Sequence, residues 1–122
     1  MNNEKPEYLS EYEDFQKAFK LGETSPDQVG ELILKMAGHF ARYNLQYANK
    51  IRNISAVKAN LINSNDENGK PMSASKAEIL ADATEEGAGY KLAQIHINNI
   101  QELINSLKSV QKSLMIEFGN VQ

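Results

Sequence analysis

The chain contains no cysteine, which excludes a disulfide framework, a cysteine-ligated metal and thiol catalysis, and suits a reducing compartment. It also lacks any run near the roughly 18 apolar residues that a membrane-spanning helix needs, and its N-terminus is polar and acidic rather than basic and then apolar. A soluble, unexported, cytoplasmic protein is the expectation. Positive charge is in short supply too. Thirteen basic against 16 acidic residues leave a net charge of −3, which excludes a globally basic nucleic-acid binder and permits only a local patch. What remains is a 122-residue chain with 41% hydrophobic residues, enough for one domain spanning 1–122. A mean hydropathy of −0.52 is low for a compact sphere and points to an elongated helical form.

Three clusters of turn-forming residues punctuate the chain: Gly22 to Asp27, Asn63 to Ser73, and Gly87-Ala88-Gly89. The segments between them carry helical periodicity. Over 7–20, Tyr8, Leu9, Tyr12, Phe15 and Phe19 share one face of a short amphipathic helix. Ser25-Pro26 supplies an N-cap and a proline at the first helical position, opening a long helix over 26–62. Its apolar seam steps by four and three through Val29, Ile33, Met36, Phe40, Tyr43, Tyr47, Ile54, Val57 and Leu61, with Lys50 the one break. Such a helix is about 55 Å long. A loop over 63–74 follows, containing Gly69 and Pro71.

Ser75-Lys76-Ala77-Glu78 fits a capping box, in which the Ser75 hydroxyl serves the Glu78 amide and the Glu78 carboxylate reaches back. A second long helix over 75–118 is expected from there. Its seam runs through Ile79, Ala83, Glu86, Tyr90, Ala93, Ile97, Ile100, Ile104, Leu107, Gln111, Leu114 and Phe118, with a weak point at 87–89. Two such helices joined by one loop fold most simply into a long antiparallel helical hairpin, a coiled coil with the short N-terminal helix against it; the expected class is all-α. Leu32, Ile51, Leu103, Val110 and Met115 lie beside the seams, and this apolar flank predicts a homo-oligomer. Pairing about a loop centre near residue 69 sets position 50 opposite roughly 88, so Lys50 should meet Glu86, the one charge on the facing seam, and fix the register.

Motifs for chemistry are sparse. His39 and His96 have no histidine or carboxylate three or four residues away, so neither a metal nor another cofactor is expected. Ser73-Ala74-Ser75-Lys76 matches S-x-x-K but lacks the companion S-D-N and K-T-G elements, and Asn68-Gly69-Lys70-Pro71 fails the phosphate-loop spacing. Asp66, Asn68 and Gly69 imitate part of a calcium loop whose twelfth position would be Ser75 rather than an acid. No catalytic residue emerges, and a non-enzymatic protein is expected. The stretch from Phe40 to Arg52 interleaves aromatic and basic side chains in the manner of single-strand binders, yet Phe40, Tyr43 and Tyr47 fall on the seam and read as core. Lys35, Arg42, Arg52 and Lys58 are the candidate phosphate contacts if nucleic acid is bound. Residues 26–63 hold five basic and two acidic groups, whereas 64–89 hold six acidic and two basic.

The second half, from Ser75-Lys76-Ala77-Glu78 through Gly89-Tyr90 to Ile104-Asn105-Ser106-Leu107 and Glu117-Phe118, resembles small helical coiled-coil proteins encoded near phage recombination and replication genes. The likeness covers about residues 73–119 and implies an accessory role with no catalytic residue to carry over; Gly87, Gly89 and the N-terminal helix depart from the pattern. The function expected is a non-enzymatic, oligomeric interaction or assembly protein. Its alternatives are a single-stranded nucleic-acid accessory factor and an anti-defence binder of a small ligand or host protein.

Overall fold

A computed structural model describes residues 5–119. It contains four α-helices: α1 (Glu7–Lys20), α2 (Pro26–Ile62), α3 (Ala74–Asp82) and α4 (Glu85–Gly119). Among the described residues the one β-type pairing is an isolated bridge between Asn65 and Pro71. The residues gather into two compact units, one made of the chain up to Ala41 and from Asn98 onward, the other of Arg42–Ile97.

In the first unit, α1 ends in a motif that requires a residue with positive φ. Gly22 sits at φ +73°, its amide donates to Phe19 O at 3.0 Å, and Glu23 N donates to Ala18 O at 3.0 Å. This is the Schellman arrangement, which satisfies carbonyls that the helix end would otherwise leave open. Three residues later Ser25 and Gln28 cap α2 reciprocally. The Ser25 hydroxyl accepts from Gln28 N at 3.3 Å, and Ser25 N donates to Gln28 Oε1 at 2.9 Å. The core of this unit comprises Tyr8 from α1, Val29, Leu32 and Met36 from α2, and Ile100, Ile104 and Leu107 from α4. Gln111 of α4 donates through Nε2 to Pro26 O at 3.2 Å and takes up a carbonyl in the first turn of α2.

The second unit packs the later part of α2 against α3 and the start of α4. Tyr43 faces His96 and Tyr47 faces Tyr90. Partner numbers fall along α4 as they rise along α2, so these segments run antiparallel. Ile54, Ala77, Ala81 and Ala93 form its buried apolar centre. Between α2 and α3 the chain turns around Asp66, whose carboxylate accepts from Asn68 N at 2.9 Å and Lys70 N at 3.0 Å. Those backbone donors, Lys70 foremost, hold the Asp66 carboxyl below its usual range. The fragment that imitates a calcium loop is therefore a self-satisfied turn.

Two local expectations are corrected here. The cap of α3 is Ser73, whose hydroxyl accepts from Lys76 N at 3.2 Å; Ser75 lies inside the first turn, so the Ser75–Glu78 capping box does not form. The S-x-x-K match is thus a helix start. The single helix over 75–118 is in fact α3 and α4, and the break falls at Ala83-Thr84, ahead of the glycines. Thr84 explains it: its hydroxyl donates to Ala81 O at the end of α3 and accepts from Gly87 N at 3.1 Å at the start of α4. Gly87 is needed for this approach, since a Cβ there would lie 2.5 Å from Ala81 O and 2.6 Å from Asp82 O.

Overpacking of this kind costs about 1–3 kcal/mol. Gly87→Ala should therefore lower the stability measured by urea unfolding by about that amount. Gly38, exposed within α2 with nothing within 4 Å of its added Cβ, provides the contrast: Gly38→Ala should raise stability by about 0.5–1 kcal/mol through helix propensity. Equal effects at the two positions would contradict the packing described for Gly87.

Candidate functional site

The aromatic side chains of the second unit are spent on one another. Tyr47 and Tyr90 stack at 5.6 Å between centroids and 22° between planes, and their hydroxyls share a 3.5 Å hydrogen bond. That bond and partial burial raise the Tyr47 pKa above the ordinary 10.0. Tyr43 lies 4.8 Å from the His96 ring, and burial pushes the His96 pKa down. Arg42 sits over the Tyr43 ring at 5.9 Å. Tyr43 and Tyr47, half-buried in this way, do not form a row of open stacking platforms.

The candidate phosphate contacts fall in separate settings. Lys35 is exposed and lines a groove in the first unit, with Glu11, Asp14 and Glu23 among the other residues along it. In the second unit, Arg52 is exposed, while Lys58 lies 3.9 Å from Glu78 of α3. Lys76 pairs with Glu67 across the loop, and this contact holds the Glu67 carboxyl below its usual range.

The expected register pair is not formed. Among the described residues no ion pair joins Lys50 to Glu86; the Lys50 side chain instead runs beside Gly89 of α4, about 3.5 Å from where a Cβ would project. The physical reason is the break at Thr84. A heptad seam carried through it assigns Ile79, Ala83 and Glu86 inward, yet all three are exposed, Ile79 by 69%. The face α3 buries is that of Ala77 and Ala81, and only beyond the break, from Tyr90 to Leu114, does α4 follow the seam; Phe118, its last position, is exposed.

The apolar flank divides similarly. Ile51 is exposed, and Leu103 and Val110 are half-buried. Leu32 is not on an open flank: it belongs to the core of the first unit and helps line the groove beside Phe15 and Ala18 of α1. What sequence reasoning missed is the partner of His39. His39 is 7% exposed, and its Nε2 lies 3.0 Å from Glu11 Oε2 of α1. The buried Tyr8 ring is 6.2 Å away. Glu11 and His39 stand 28 positions apart, so local spacing carried no signal of their contact. The groove beside this contact has a volume of about 320 Å³. Among the described residues no group of three or more histidine and carboxylate side chains is placed to hold a metal ion.

No family model, curated protein or solved structure matches the chain.

Because the raised Tyr47 pKa favours the neutral phenol in the folded state, its contribution to stability is complete below pH 10.0 and is lost as pH rises through that value toward the folded one. Ultraviolet titration should show one tyrosine ionising later than the rest in the native protein, and Tyr47→Phe should remove that late component. A simple titration of all tyrosines near the ordinary value would contradict the shared Tyr47–Tyr90 bond.

Proposed function

We propose that the chain is a non-enzymatic helical assembly protein that works as an oligomer in the cytoplasm, its long helices paired as an antiparallel coiled-coil hairpin. On this reading it is an accessory component of the kind found beside phage recombination and replication genes. The observation that carries the reading is the number of large apolar side chains left in water on regular helices. Leu34, Leu45, Leu92, Ile95, Met115 and Ile116 are each more than half exposed. Single exposed apolar residues are ordinary, and it is their number on regular helices that supports a role in binding other protein. The histidines and tyrosines, the groups best suited to acid–base chemistry, are engaged in packing contacts, which favours a binding role over catalysis.

A second reading is supported by one specific observation: α2 carries Arg42, Lys50, Arg52 and Lys58 but no acidic residue between 42 and 62. The stretch is locally cationic, with Arg42 and Arg52 exposed and Lys50 and Lys58 half-buried, and could neutralise a few phosphates of a single strand. Light scattering separates the two. The assembly reading expects a mass above that of the monomer at micromolar concentration without nucleic acid. The alternative expects a monomer that shifts labelled single-stranded oligonucleotide, with affinity falling steeply as salt rises.

A further inference from the structure

The first unit contains a groove that its own side chains leave open. It runs between α1 and the start of α2 and has a volume of about 320 Å³, with Phe15 and Ala18 of α1 and Leu32 of α2 as its apolar lining. Small-molecule sites begin at about this size, and an apolar lining interrupted by a few polar groups is their usual composition.

The polar groups along the groove differ in what they already hold. Glu11 is taken up by His39. Asp14 and Glu23 are exposed, and among the described residues neither has an ion-pair partner. Thr24 lines the groove as well, and its Oγ1 is the one buried side-chain polar atom among the described residues that lacks a hydrogen-bond partner. A hydroxyl in that state has lost its water without gaining a replacement, and its energy falls as soon as a donor reaches it.

The charge around the groove is of one sign. Residues 7–35 carry seven acidic and three basic groups, so a guest approaches through a negative field. A bare metal ion does not suit the place. Calcium and magnesium collect about six or more oxygen ligands around one point, whereas among the described residues no three carboxylate or histidine side chains are placed to hold an ion, and Lys35 puts an ammonium into the same lining. A cation with its charge at one end and carbon over the rest matches both the open carboxylates and the apolar lining. We propose that this groove binds a small organic cation, a primary ammonium on an apolar body about the size of one ring. The ammonium has three N–H donors; the carboxylates of Asp14 and Glu23 accept two, and the Thr24 hydroxyl, turned about χ1 to another staggered position, accepts the third. The body lies against Phe15 and Leu32. The site belongs wholly to the first unit and does not rest on the assembly reading.

The test uses the full chain and the phenethylammonium ion, with phenethyl alcohol and hydrocinnamate as neutral and anionic probes of similar body. At millimolar concentration phenethylammonium should raise the unfolding temperature and shift the backbone amide resonances of Asp14, Thr24 and Gln28, and the other two probes should do neither. Asp14→Asn with Glu23→Gln should weaken the probe about tenfold, and Lys35→Gln, which removes a like charge, should tighten it about threefold. Thr24→Val should move two readings in opposite directions: the empty protein unfolds at a higher temperature, because an unsatisfied hydroxyl is gone, while the probe binds more weakly. Absence of amide shifts with phenethylammonium would overturn the site. Equal binding of phenethyl alcohol would overturn the selection for charge, and binding unchanged in the double variant would overturn the assignment to Asp14 and Glu23. Displacement of the probe by calcium would overturn it in favour of a hard-cation site.

Discussion

The backbone of Gly87 lies against the carbonyls of Ala81 and Asp82 more closely than a residue with a Cβ could, and the second unit depends on that approach. It lets α4 start directly beside the end of α3, with the Thr84 hydroxyl bonding to both. The helix axis is interrupted there and the buried face changes. Ala77 and Ala81 turn inward on α3, while Ile79 and Glu86 remain in water. The glycine at this contact lets the backbones approach where a larger residue would hold them apart.

In the first unit the comparable role belongs to the face of α1 that meets α2. Tyr8 is fully buried, and Glu11, one turn further on, meets His39. A buried imidazole is tolerated because it has that partner; unpaired, it would carry the desolvation cost of a polar group in an apolar setting. The same turn of α1 thus combines an apolar anchor with a polar contact that admits a narrow range of geometries. The Schellman turn at Gly22 and the reciprocal cap at Ser25 then reverse the chain within a few residues. This brings α1 back along α2, where Leu32 is covered.

The outside of the molecule follows a different logic. Several polar side chains have short-range partners: Asp66 in its own loop, Lys58 near Glu78, Tyr47 at Tyr90. Large aliphatic side chains, by contrast, are left on outer helix faces. The aliphatic surface left in water is what the proposed assembly reading rests on.

The sequence by itself determined where helices form. The bounds of α1 and α2 follow from period and caps, because the residues that start and stop those helices act on neighbours three or four positions away. It also determined the inward side of α2, since the seam from Val29 to Leu61 is fully or partly buried. The break at Thr84 was legible in part: a threonine followed by Glu85 and Glu86 is a helix start, but the glycine pair drew attention about one turn too late. Only the tertiary structure decided which face α3 buries, why Lys50 runs beside Gly89 without pairing Glu86, and that His39 belongs to Glu11. These depend on how helices distant in sequence meet, and a single interruption between two helices changes which residues face inward, something a period read along one chain cannot register.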